Sequence, residues 1–532
     1  MVAGCGGTSG GTKAPKFVLR TFPTLRVEIG AGADSLDPGL SYTPESWQSL
    51  WNVYLSPYGY GHENGAASSR IVPALAENMP DISSGGRVYE FQLRKGLRYS
   101  NGKPVRASDF AYAIRRLYLL DSLGAPLFDD IVGADVAAAR RGPISGIETD
   151  DYSRSVTVHL KQPSASFINA LASLFAAPVP PGTPERDQTH TPIPSTGPYK
   201  ISQVRWPKGF TLVRNRHFKP TETEPETNPD RIVVSVVKGG RAALEQLAAG
   251  EADYADAPIA PASLEQAERK GRLQLRANID ADTYYFFMNT KLRPFNDVRV
   301  RRAVNYALDR ERLVEIFGGQ AVPTENVLPP LYPSYRKHNL YPYNLTKARA
   351  LVRQAGAKGA TVTVFGPTRP VDAPAAVLYL RRQLAAIGLK PSPTIKLLPP
   401  AQYWTTIGSQ QARAQIGFAF WIQSIPSPLA WFEPLLSGAE TTQLANTNYS
   451  FADSTVLNAT IDRLAREPEL TADVDAQWAA LDLRAMRWAP LAPFLNTRSF
   501  DALSKRIDPH CYVSNVLYGL DYGRLCLRRG IR

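Results

Sequence analysis

The chain has 532 residues, 44% of them hydrophobic and 20% charged, which is globular composition and too long for one hydrophobic core, so two or three domains are expected. Its formal net charge is +13, but the basic residues are scattered and the tightest groups are pairs such as Arg301-Arg302 and Arg381-Arg382. Without a stripe of arginines and aromatics, nucleic acid is excluded as the expected partner, and no apolar run reaches the roughly 20 residues that span a bilayer.

The chain opens Met1-Val2-Ala3-Gly4-Cys5, followed by a Gly/Ser/Thr stretch through Thr12. This resembles the end of a bacterial lipoprotein signal, in which small residues precede a cysteine that carries the lipid. The glycine-rich tether would hold a folded body off the membrane. The basic and apolar parts of a signal are missing ahead of the motif, so Met1 is read as added in cloning a trimmed chain. Cys5 is therefore expected to be lipidated and residues 1–16 to form the tether.

Leu25 to Ile29 alternates apolar and polar, as a half-buried strand does, and Ser35-Leu36-Asp37-Pro38-Gly39 ends it with a turn. Tyr89, Phe91 and Leu93 alternate again before Asn101-Gly102, a strong hairpin signal. Ser108 is expected to cap a helix carrying Phe110, Ile114 and Leu117. Val156, Val158 and Leu160 form another strand, and Phe167 to Phe175 an apolar helix. Seven prolines between Pro178 and Pro198 demand an extended crossing. Strands are expected at Ile232 to Val237, Tyr284 to Met288 and Val362 to Phe365. Helices are expected at Ala242 to Ala249, Lys347 to Gln354 and Ala375 to Ile387, with one long amphipathic helix at Val298 to Phe317. This alternation is that of an α/β protein.

Short blocks in fixed order carry a resemblance. They are Leu36-Asp37-Pro38, Val72-Pro73-Ala74-Leu75-Ala76-Glu77, Leu93-Arg94-Lys95-Gly96-Leu97-Arg98 and Asn101-Gly102-Lys103-Pro104-Val105 with Ala107-Ser108-Asp109-Phe110. Then come Ser195-Thr196-Gly197-Pro198-Tyr199, Arg214-Asn215, Gly250-Glu251-Ala252-Asp253, Asn289-Thr290, and Pro294-Phe295-Asn296-Asp297-Val298-Arg299-Val300-Arg301-Arg302-Ala303 running through Ala307-Leu308-Asp309-Arg310. Together they resemble the extracellular solute-binding proteins of family 5, which serve peptide and nickel ABC transporters.

The resemblance implies a type II periplasmic-binding-protein fold: two α/β lobes plus an extra domain. On that template the first lobe takes 17–58, 183–280 and 489–532, the extra domain 59–182 and the second lobe 281–488. Crossings near 280 and 488 would form a hinge that closes over a peptide or other small extended ligand for delivery to a permease and its ATPase. The implied protein is a monomer on the outer face of the cell membrane, held there by its lipid, and needs no cofactor. A non-transport envelope scaffold and a metal-chelate or haem binder are the alternatives.

In peptide-binding members a Trp-x-x-Asp-x-x-Asp-Pro run pairs an aspartate with the ligand's amine. Here the run keeps Trp421 and Pro428 but has Ser424 and Ser427 at the carboxylates. Without a charged partner for an ammonium, a neutral or anionic cargo is expected, unless Glu433 or Glu440 takes the role. The resemblance also points to Ser41, Tyr42 and Thr43 after the first strand, Tyr285 on the second-lobe strand, Tyr403 and Trp404 as flat walls, and Phe494 and Asn496 near the second crossing.

Cys511 and Cys526 lie 15 positions apart and are expected to pair, stabilising the tail by ~3 kcal/mol. The six histidines are dispersed, His62 among them, and are read as surface residues. No Cys/His spacing marks a metal site, and no nucleophile elbow, zinc-protease or phosphate-loop pattern occurs, so no enzyme is expected.

Overall fold

The computed structural model describes residues 24–30, 34–257, 259–423, 425–441, 446–468 and 471–528. A twelve-stranded sheet runs through it. Strand Leu25–Ile29 lies parallel to Arg231–Val236 on one side and to Tyr254–Asp256 on the other. Its alternation is used as read: Leu25, Val27 and Ile29 are buried. Gly209–Arg214 and Tyr199–Val204 extend this first half of the sheet. The second half is Asp282–Met288, Ile416–Ile422, Val364–Pro367 and Lys396–Leu398.

One long strand, Leu491–Ser504, belongs to both halves. Residues 491–495 pair with Asp282–Met288, and residues 498–504 pair with Leu273–Ile279. The chain therefore crosses between the halves at 279–282 and at 496–498. The second crossing lies beyond the expected 488, because Leu491, Ala492, Phe494 and Leu495 are buried in the core of the second half.

A separate four-stranded antiparallel sheet, Asp81–Ser83, Val88–Gln92, Ser155–His159 and Ile147–Asp150, is covered by helix Ala107–Leu119. Tyr89, Phe91, Phe110, Ile114, Val156 and Val158 fill its core. Ser108 does not cap the helix: its N–H and hydroxyl bond Asp151, and the Asp109 carboxylate instead accepts the Arg106 N–H at 3.0 Å. The expected single helix from Val298 is two, Val298–Ala307 and Arg310–Ile316. Leu308 turns extended, and Asp309 caps the second helix by accepting from Arg312 N. The break turns buried Arg310 onto the carbonyls of Thr324 and Pro493.

The family-like blocks serve as clamps between these units. Asp37 takes a two-pronged bond from Arg116 (2.9 and 2.6 Å) and the N–H groups of Gly39 and Gln188. Arg116 also donates from Nε to Pro184 O and from Nη2 to Arg186 O. At Gly197 a Cβ would stand 2.8 Å from Val53 O, so only glycine lets these two segments meet. Asp253 receives Arg26 from the first strand and Arg506 from the end of the chain.

The tail is closed into a loop by the Cys511–Cys526 disulfide, with Cα atoms 5.7 Å apart. Next to it, His62 is not a surface residue. It lies between Asp521 Oδ2 at 2.6 Å and Glu224 Oε2 at 3.2 Å, stacked on Trp51. Burial opposes its charge, but Asp521 and then Glu224 outweigh that and push its pKa up to about 10.

Two tests follow from these clamps. The Arg116 and Asp37 side chains are 2% and 0% exposed, so Arg116→Met strands a buried carboxylate. It should cost about 3–5 kcal/mol in denaturant unfolding, and the added change Asp37→Leu should recover most of it. For His62, the raised pKa means its clamp is fully present below the unfolded value of 6.5 and lost as pH rises through about 10. Wild type should lose its stability margin over His62→Gln between pH 7 and 10.5; a margin constant over that range would show a neutral imidazole.

Candidate functional site

Two cavities, of about 550 and 360 Å³, lie between the halves of the sheet and share Pro44, Asp280, Ala281, Val516 and Leu517. They form one cleft, of a size that accepts a small organic ligand. Helix Pro44–Leu50 lends Pro44, Trp47 and Gln48 to one wall, and the second half of the sheet lends Ile422 and Gln423 to the other. The floor is the pair of crossing strands. The disulfide-closed tail supplies Tyr512 and the run Ser514 to Leu520.

Although the chain is basic, this floor is acidic. Tyr254 and Asp256, Asp280 and Asp282, and Ser499 and Asp501 each sit two apart on a strand or its extension, a period that sends both side chains to one face. Asp501 accepts from Tyr254 Oη (3.0 Å), Asn278 Nδ2 (2.8 Å) and Tyr512 Oη (2.5 Å). Burial still holds its pKa above the ordinary carboxylate value against those three bonds. Asp280 accepts from Ser499 Oγ at 2.6 Å and Thr497 Oγ1 at 2.8 Å.

Asp282 accepts the Thr497 N–H at 2.8 Å and also its hydroxyl, and burial pushes its pKa to about 6. Asp256 differs from the others. Its carboxylate has no hydrogen-bond partner among the described residues, and burial, then the charges of Asp501 and Glu45, push it to about 7. No lysine, arginine or histidine forms an ion pair with any of these four carboxylates among the described residues.

The expected site residues are distributed otherwise. Ser41 is buried, with its carbonyl accepting from Trp47 Nε1, and Tyr42 is 49% exposed with its ring against Trp47. Thr43 caps helix Pro44–Leu50. All three prop the wall without lining it. Tyr285, Tyr403 and Phe494 are core residues of the second half. Tyr403 donates to Phe418 O, and Phe494 stacks on Phe286. They line neither cavity: Tyr285 and Phe494 on their strands and Tyr403 on helix Pro400–Ile407 all face the packed core.

Trp404 stacks on Tyr449, and Trp421 is pinned through Nε1 to Ala430 O, so neither is a free wall; the next residues, Ile422 and Gln423, reach the cleft. Ser427 is buried and accepts the Leu429 N–H at a helix start. Asn496 braces the crossing by donating to Asp282 O and Thr283 Oγ1. Ser424 and Cys5 lie outside the described residues. Glu433 and Glu440 line neither cavity. The acidic floor was missed; the doublet Asp280-Ala281-Asp282 ahead of an aromatic strand was its one readable signal.

Comparison with known proteins agrees with this architecture. The model of bacterial extracellular solute-binding proteins, family 5 Middle, matches residues 70–443. The glutathione-binding protein GsiB of Escherichia coli (strain K12) is 27% identical over 382 residues, 68% of each chain. GsiB of Salmonella paratyphi A (strain ATCC 9150 / SARB42) is 27% identical over 387 residues, 70% of each. In three dimensions the chain is similar to the unliganded open form of the periplasmic murein tripeptide binding protein MppA (TM-score 0.81, 19% identity, 95% of this chain and 97% of that). It is also similar to clavulanic acid biosynthesis oligopeptide binding protein 2 (TM-score 0.79, 24% identity, 95% of each). The fold is the type II periplasmic-binding-protein fold, and the chain belongs to the bacterial extracellular solute-binding proteins of family 5.

Proposed function

We propose that this chain is the ligand-capturing subunit of an ABC importer for a small peptide-like molecule, and that the ligand presents a cationic group to Asp256. The observation that carries the reading is the unpaired Asp256 carboxylate in the interlobe cleft. Partial burial in the cleft without a partner makes the ionised carboxylate costly, and an ammonium or guanidinium supplies the missing charge and donors together. The anchor that Ser424 and Ser427 no longer provide from the second lobe is thus moved to the first. This replaces the neutral or anionic cargo expected from those serines.

Several facts support the rest of the reading. Proteins similar to this one are named for glutathione, a murein tripeptide and oligopeptides. Two joined cavities favour capture over a scaffold with a filled cleft. Among the described residues no three His, Cys, Asp or Glu side chains stand as metal ligands, which favours an organic cation over a metal ion. On this reading the lobes divide at 279–282 and 496–498, the unit at 59–182 is the extra domain, and Cys5 carries the lipid that holds the protein outside the cell membrane.

At pH 8 Asp256→Asn should weaken a free-amine tripeptide at least tenfold in calorimetry, a loss of about 1.4 kcal/mol, while the N-acetylated tripeptide binds poorly to both proteins. Wild-type affinity should fall from pH 8 to 5.5 as Asp256 takes a proton near 7. A raised carboxyl pKa adds stability below the unfolded value that is lost as pH rises through the folded one. Ligand-free Asp256→Asn should therefore melt above wild type at pH 8 and level with it at pH 4. Equal binding of free and acetylated peptide would refute the cationic anchor. Expressed behind a lipoprotein signal, wild type should incorporate labelled palmitate and Cys5→Ala should not.

A further inference from the structure

Gln423 bridges the cleft through its backbone N–H and both ends of its side-chain amide. Its N–H donates to Ala281 O at 3.0 Å, its Oε1 accepts from Tyr332 Oη at 2.6 Å, and its Nε2 donates to Val516 O at 3.0 Å. Tyr332 Oη in turn accepts from Trp431 Nε1 at 2.7 Å. Tyr332 and Trp431 are both buried in the second lobe. Because the hydroxyl proton of Tyr332 goes to the amide oxygen, the amide can present only its NH₂ to the opposite wall. Val516 lies in the loop closed by Cys511 and Cys526, on the first lobe, and its side chain packs against the core of the second.

We propose that Gln423 is a latch across the cleft. The chain Trp431–Tyr332–Gln423, rigid within the second lobe, offers a donor to one main-chain carbonyl of the tail loop, and that bond sets how long the lobes stay together. The target is a backbone oxygen, so the loop contributes position rather than a particular side chain. Position is supplied by the disulfide, by Asn515 Nδ2 on Ser68 O and by Asn64 Oδ1 on Ser514 N. The latch closes over the smaller cavity, which Gln423 lines with Ile422, Val516 and Leu517. The inference rests on capture in this cleft being the function, and it makes Gln423 a positioning residue for that capture.

Gln423→Leu removes the donor, and Gln423→Asn keeps an amide one methylene too short to span while leaving the N–H to Ala281 in place. Both should shift ligand-free protein toward the open form in small-angle X-ray scattering and speed dissociation of a bound free-amine tripeptide by about fivefold, as loss of one net hydrogen bond implies. Tyr332→Phe, which frees the amide to rotate, should give a smaller shift in the same direction. If Gln423→Asn folds like wild type by circular dichroism and shows unchanged scattering, the latch is refuted. If scattering shifts but no tripeptide binds wild type, the latch stands and the peptide reading fails.

Discussion

The architecture depends on how one strand, Leu491–Ser504, passes from one lobe to the other. Its backbone pairing shifts register at Tyr284 and Tyr285 and passes to Ala321–Pro323 at the crossing, where side chains add further bonds. Asp282 accepts the Thr497 N–H, Asn496 donates to Asp282 O, and the single hydroxyl proton of Thr497 faces both Asp280 and Asp282. The arrangement carries a cost, since Asp282 is buried and its ionised form is disfavoured up to a pH of about 6.

The same carboxylates form the cleft floor, so hinge and binding surface share residues. A cation seated at Asp256 would relieve the field of Asp501 and Glu45 as well as its own desolvation. Perturbed carboxyl groups collected in a cleft are what a site selecting positive charge requires, and the basic exterior of a +13 chain does not reveal them. Net charge describes the surface; these carboxylates lie on the cleft side of the crossing segments and of strand Tyr254–Asp256.

The blocks that made the family legible are clamps rather than ligand contacts. Asp37 meets Arg116, Gly197 admits Val53, Asp253 gathers Arg26 and Arg506, and Arg301 bonds the carbonyls of Trp488 and Phe295. Such contacts demand one residue type at one position, because a buried charge or a missing Cβ has no substitute. They leave a strong trace in sequence and fix the fold. The cleft makes no such demand, and residues carried over by resemblance, Tyr285, Tyr403 and Phe494, turned out to be packed core.

By itself the sequence determined the α/β elements and the family, since period-two and helical patterning are local and the clamp residues keep their type and order along the chain. It misplaced the break at Leu308, where a capping aspartate outweighed an amphipathic pattern, and the second crossing, where burial of Leu491 to Leu495 decided the partner. Only the tertiary structure decided what faces the cleft. Asp256 and Asp501 come from separate strands and Asp280 from the crossing between two others, and Gln423 and Val516 stand 93 positions apart. Each is an ordinary polar or apolar residue until folding brings it to the interior of one cavity. Convergence of that kind carries no local pattern, so the residues that face the cleft could be read only from the assembled fold.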